Sequence, residues 1–309
     1  MPRPRKSLIS LDETPFYHCV SRCVRRAFLC GKDNVSGKSF EHRKQWVENR
    51  LLLLAKVFAI DICAYAVMSN HTHVVLCVDK SSAKSWSTEE VLRRWHKLHK
   101  GTYLTRQYID VEERRKLSKT QIEGVISIAN IYRRRLYDIS WFMRLLNEHI
   151  ARKANKEDDC TGRFWEGRFK SQALLDDAAV IACMAYVDLN PLRTGKVKTP
   201  ESAGHTSIKR RIRAAKNNQQ PRQLLPFIGY TQQSSGKGLP YRLDDYLRLI
   251  DVTGRQYTVD KPGTIPANCE PILRRTGLDH VNWTDLVDNI ENHFSSNISL
   301  AIAKKKLTA

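Results

Sequence analysis

Two histidines one residue apart, His71-Thr72-His73, are the sharpest chemical feature of this 309-residue chain. On a strand, alternate side chains point to the same face. Both imidazoles then project together beside Asn70 and form half of a divalent-metal site on one rigid element. A pair of hydrogen-bonded histidines at a strand start is the competing reading, and the spacing alone does not separate the two. Tyr186 and Asn190 lie four residues apart in an apolar run, so on a helix they share a face. The phenol could serve as a nucleophile and the carboxamide oxygen as a ligand. An ordinary buried tyrosine before a helix-ending Asn-Pro fits the spacing at least as well. In WEGRFK at 165–170, aromatic rings interleave with Arg168 and Lys170. Cations suit phosphates and rings can stack on unpaired bases, but Trp165 and Phe169 fit equally as core anchors.

The elements that must hold these groups can be read from periodicity. FYHCVSRCV at 16–24 alternates and is rich in β-formers, which predicts a strand. Residues 41–57 read as a helix. IDICAYAVM at 60–68 and HTHVVLCV at 71–78 read as strands, and the tight Ser69-Asn70 connection makes them antiparallel neighbours. The charged segment 80–137 carries expected helices at 88–100 and 111–117 and looks like an insertion. Helices follow at 139–155 and 177–189. The second should close at Asn190-Pro191, because proline disfavours the α conformation in the residue before it. After residue 200 come a basic run at 207–216, the polar stretch NNQQPRQ at 217–223, and expected helices at 241–251 and 283–294. The division is a first domain at 1–200 with an insertion at about 80–137, then a basic C-terminal extension or small helical domain at 201–309.

Charge narrows the class of partner. Lys and Arg total 52 against 32 Asp and Glu, a net charge of +20 with a pI near 9.7. A field of that sign favours polyanions. No run approaches the roughly 18–20 apolar residues that span a bilayer. The best candidate, 51–62, is broken by Lys56 and Asp61. The basic start of the chain is followed by no apolar signal core, so a cytoplasmic protein without a membrane partner is expected. Of eight cysteines, Cys19 and Cys23 are closely spaced, but no second pair completes a zinc module.

Four segments together resemble a known family: FYHCVSRCVRRAFLC at 16–30, AYAVMSNHTHVVL at 64–76, GRFWEGRFKS at 162–171 and AYVDLNPLRTG at 185–195. The chain resembles the single-tyrosine HUH transposases, in particular the REP-associated tyrosine transposases. The resemblance implies an α+β fold with a ferredoxin-like, mainly antiparallel βαββαβ sheet. It implies His71 and His73 as ligands of Mg²⁺ or Mn²⁺, Asn190 as a third ligand and Tyr186 as nucleophile. It also implies cleavage and rejoining of single-stranded or hairpin DNA through a 5′-phosphotyrosine. Arg168, Lys170, Arg193 and the cluster Lys209, Arg210, Arg211 and Arg213 are then expected phosphate contacts, which hold a strand without reading its sequence. The insertion is longer than in the simplest family members, and the extension after 200 has no counterpart. Monomer or homodimer, and a tyrosine acting in its own site or a partner's, stay open. Two other readings are a non-catalytic, domesticated DNA-binding protein of the same fold and a nuclease whose histidines activate water.

Overall fold

Four alternating segments build one antiparallel sheet. The computed structural model describes residues 9–24, 29–32, 37–197, 199–215, 217, 219–229 and 237–255. Strands β1 (Phe16–Arg22), β2 (Ile60–Val67), β3 (His71–Val78) and β4 (Lys170–Leu174) lie in the order β2-β3-β1-β4. Helix α1 (His42–Val57) connects β1 to β2, and α7 (Ile139–Glu157) leads back toward β4. Strand, helix, strand, strand, helix, strand along the chain, with the strands in that spatial order, is the ferredoxin-like arrangement that the family resemblance implies. No helix among the described residues is long and apolar enough to cross a membrane.

Strand alternation gives the sheet two different faces. Tyr17, Cys19, Val74 and Leu76 join one core with α1 and α7. Arg43 of α1, fully buried, pairs with Glu157 (2.6 Å) and Asp158 and ties those two helices together. On the other face, Val75 and Cys77 pack against α8 (Asp177–Arg193). That face also carries His18, His71 and His73, which are buried.

The insertion is helical and denser than the sequence suggests. It holds α2 (Lys80–Ser85), α3 (Thr88–His96), α4 (Tyr103–Ile109), α5 (Val111–Arg115) and α6 (Lys119–Leu136). Helix α3 stops short of residue 100, because Gly101 takes a positive φ of 70° and Thr102 caps α4. Helix α6 buries Val125, Ala129 and Leu136 along one face, with apolar Ile126 and Ile131 exposed outside it; its start is written in the Ser118/Gln121 capping box.

Helix α8 differs from its expected end. It runs through Asn190-Pro191 to Arg193. Proline forfeits one backbone donor bond, here in the final turn, where few bonds follow it. The turn is closed instead by Thr194 N–H donating to Asn190 O (3.1 Å) and Lys196 N–H to Pro191 O (3.0 Å), with Gly195 at φ +67°. Asn190 therefore stays helical.

The described part of the C-terminal extension shares the α8 core. Helices α9 (Ser207–Ala215) and α10 (Leu243–Arg255) bring Ile208, Tyr246, Leu249 and Ile250 into it, along with Leu225 and Phe227. The helix expected at 241–251 is α10, while the one expected at 283–294 lies outside the described residues.

Candidate active site

The register of β1, β3 and β4 builds the site before any side chain is considered. Val20 pairs with His73 and Arg22 with His71, while His18 pairs with Gln172 across β4. Paired residues share a face, so His18, Arg22, His71, His73 and Gln172 all point toward α8. On α8, Tyr186, Asn190 and Arg193 follow one another at four and three residues, one helical face.

Side chains meet where these faces meet. His71 and His73 have ring centroids 4.7 Å apart at 81°. The Tyr186 ring lies 5.4 Å from His73, edge to face, and 6.1 Å from His18. His18 Nε2 and His73 Nδ1 are 3.0 Å apart, one donating to the other, with the rings stacked at 5.2 Å. The Arg193 guanidinium lies 5.1 Å from the centre of the Tyr186 ring. The histidines, the phenol and the carboxamide are buried, with Tyr186 3 % exposed, Asn190 6 % and His71 9 %, while Arg193 is half-buried and Arg22 exposed.

Burial sets the protonation of the histidines. It pulls His18 down to about 3, against the opposing influence of the Gln172 carboxamide, with His71 lowering it further. It also holds His73 well below its ordinary value, helped by His71, His18 and Arg22. Both imidazoles are therefore neutral at neutral pH, which is the form that binds a cation.

The donors can be compared with a divalent ion. His71 Nδ1 lies 2.6 Å from Asn70 Oδ1. Donating there, it leaves the lone pair on Nε2, the second-partner arrangement usual for ligating histidines. The Asn190 carboxamide oxygen is buried and accepts no hydrogen bond among the described residues. Two imidazoles and an amide oxygen fit a divalent ion in type, and the mixed set suits Mn²⁺ better than the all-oxygen preference of Mg²⁺. Among the described residues no group of three or more His, Cys, Asp or Glu is placed to hold a metal ion.

With this geometry in place, the comparisons are few. No family model and no curated protein matches this chain. Among solved structures it is similar to that of a REP-associated tyrosine transposase bound to a REP hairpin. The TM-score is 0.42 and the identity 13 %, over 77 % of this chain and 98 % of that one. The fold assignment here rests on strand order, and the chemistry on the side chains.

The expected phosphate contacts divide. Arg168, Lys170, Lys209 and Arg213 are exposed, and Arg193 is half-buried beside Tyr186. Arg210 is half-buried and engaged by Glu48 (3.1 Å) and the Tyr65 hydroxyl (2.7 Å). Arg211 is a correction: it is 0 % exposed and donates from Nη2 to Cys63 O (2.7 Å) and Leu225 O (3.3 Å), under the Phe227 ring. It sits on the buried face of α9 with Ile208, so it is a core residue and not a phosphate contact. Phe164 and Phe169 are core residues as well, and the half-buried Trp165 spends its indole N–H on Asn147 O (2.8 Å). The anchor reading of that block holds for both Trp165 and Phe169. Sequence reasoning missed His18, Arg22 and Gln172. The period of FYHCVSR already places His18 and Arg22 on one face, but only the register places them beside His71.

Proposed function

We propose that this chain cuts and rejoins single-stranded or hairpin DNA through a covalent bond to Tyr186. The observation that carries the reading is the meeting of one phenol, two imidazoles and a buried amide oxygen that accepts no hydrogen bond among the described residues. The family resemblance in four segments supports it, and the net charge of +20 suits the substrate.

In the reaction, the Tyr186 oxygen attacks phosphorus in line and the bond from phosphorus to the 3′ oxygen breaks. The phenolic proton is given up as the new bond forms, and the departing 3′ oxygen takes a proton to become a 3′-OH. The strand downstream is held as a 5′-phosphotyrosine, and attack by another 3′-OH reverses the step. The Arg193 guanidinium, beside the ring, favours the phenolate as it develops. His18 fixes the orientation of His73 from behind, and Asn70 does the same for His71. A Mg²⁺ or Mn²⁺ ion held by His71, His73 and Asn190 would supply charge neutralisation at the scissile phosphate. Arg22, Arg168 and Lys170 are exposed cations near the strand ends that frame the site, suited to the neighbouring phosphates.

A second reading is favoured by one observation. The Tyr186 ring is almost fully covered, which suits a DNA-binding protein of this fold that does not cut. One assay separates the two. Wild-type protein, end-labelled single-stranded DNA bearing a hairpin, and Mn²⁺ are incubated and run on a denaturing gel. Under the catalytic reading a protein–DNA adduct forms, is lost on chelation and is absent in Tyr186→Phe, which still binds DNA. A wild-type protein that binds but never forms the adduct is the non-catalytic one.

A further inference from the structure

A second polar concavity lies outside the histidine site. It has a volume of about 660 Å³ and is walled by α9 and the segment after it. That is within the range of small-molecule and nucleotide pockets. Its lining includes Lys209, Arg213 and Arg222, with the carboxamides of Asn217, Gln219 and Gln223. Lys209, Arg213, Arg222, Asn217 and Gln219 are exposed, and among the described residues the three cations form no ion pair. Glu48, a carboxylate in the lining, is already engaged by Arg210 (3.1 Å), His205 (3.0 Å) and the Tyr65 hydroxyl. The cleft therefore presents surplus positive charge together with groups that both donate and accept.

Its position relative to the histidines is fixed by the sheet. Thr206, on the cleft wall, bridges to Ala66, and Ala66 pairs with His73. Val67 N–H donates to His205 O (3.2 Å), and Tyr65 N–H donates to the Ser207 hydroxyl (2.8 Å). The wall of the cleft is thus laid along the outer edge of β2. Two strand spacings, about 10 Å, separate the backbone of His73 from that of Thr206. The cleft opens on the α1 side of the sheet, since Gln45 and Glu48 of α1 line it, so a strand from the histidine face reaches it by rounding the β2 edge, a path of a few nucleotides.

We propose that this cleft receives an unpaired nucleotide of the same DNA strand whose scissile phosphate sits at the histidines. Lys209, Arg213 and Arg222 hold its flanking phosphates, and the carboxamides meet the edge of its base. The inference deepens the proposed function by locating where a substrate strand is read. Amide side chains pair with base edges through one donor and one acceptor, a contact that separates bases where phosphate contacts do not.

The test uses full-length protein and fluorescein-labelled single-stranded DNA, with binding followed by anisotropy from low to high salt. In Lys209→Ala/Arg213→Ala/Arg222→Ala, affinity should fall at least tenfold. The slope of log K against log salt should become shallower by about 2, three single-strand contacts at roughly 0.7 each. Blunt duplex binding should change little. Affinity within twofold of wild type, with an unchanged slope, overturns the proposal. So does tighter binding of single-stranded RNA of the same sequence. A measurement on the wild-type protein guards against misfolding of the variant: photo-crosslinking with bromodeoxyuridine DNA should label the peptide spanning 217–223, and labelling confined to other peptides also overturns it. The adduct assay is read in parallel. If wild type forms no adduct but the triple variant loses strand binding, the catalytic reading falls and the cleft stands. If wild type and triple variant form adduct with the same dependence on DNA concentration, the cleft falls and the catalytic reading stands.

Discussion

Helix α8 buries polar groups on two sides and treats them in opposite ways. On one side, Asp188 is completely satisfied. It accepts from Ser207 Oγ, from Ile208 N–H at the first turn of α9 (2.9 Å) and from the Tyr246 hydroxyl of α10 (2.6 Å). On the other side, two residues along, the Asn190 oxygen is equally buried and accepts nothing among the described residues. Buried polar atoms in native proteins are nearly always paired, so an exception calls for a reason. A satisfied network holds elements together, whereas an open acceptor beside the imidazoles of His71 and His73 suits a ligand.

The comparison can be broken in several ways, and the largest effect comes first. Tyr186→Phe removes one oxygen from the open side. It should take the covalent adduct from detectable to none on a denaturing gel, with a melting temperature close to wild type. On the satisfied side, Asp188→Ala should cost stability by about 3 kcal/mol in urea titration. It strands three donors and deprives the buried Arg211 of a nearby countercharge. A cost below 1 kcal/mol would mean the network holds nothing.

A third prediction concerns pH and extends the contrast to a third buried polar set. Burial alone would raise the Glu48 carboxyl. His205, Tyr65 and Arg210 outweigh it and hold the group down at about 2. Its folded pKa lies below its ordinary value, so its stabilisation is present above about pH 4.5 and is lost as pH falls toward 2. With the side chain 8 % exposed, the loss should approach about 3 kcal/mol. Glu48→Gln should be less stable at pH 7 and lack that acid limb; an identical limb in the variant would assign it to other groups. The smallest effect sharpens the comparison most. Asn190→Leu replaces a carboxamide whose oxygen accepts no hydrogen bond among the described residues by an apolar side chain of similar size, so stability should change by less than about 1 kcal/mol in either direction. Metal-dependent cleavage should vanish all the same. A loss as large as that of Asp188→Ala would erase the distinction between the two sides.

Much of this arrangement is legible in the sequence, and the limits have physical causes. The short β4 lies in the block read as interleaved rings and cations, and only its pairing with β1 makes it a strand. The other three strands and their faces follow from alternation, which is a local property. His71 with His73, and Tyr186 with Asn190, are visible for the same reason: each pair sits on one element. That the two pairs meet depends on strand order and on the packing of α8, which no spacing encodes. His18 and Gln172 were hidden because their partnership is a register between distant strands. Arg211 was misassigned because it lies in a run of cations. What buries it is the register shift between Ile62 and Ala64, where the Cys63 carbonyl turns to meet a side chain. Pro191 was read as a stop because its effect was judged from the preceding residue alone, whereas a helix can lose one donor in its final turn and continue.

The ladder from Thr206 through Ala66 to His73 has one more consequence. Its rungs are backbone pairs, which hold a constant pitch and do not stretch with load. The histidine site and the cleft are thereby kept at a set separation, like marks on a ruler. A nucleic-acid strand engaging both would be gauged by length before any base was inspected, and a strand one nucleotide too long would have to loop out to fit.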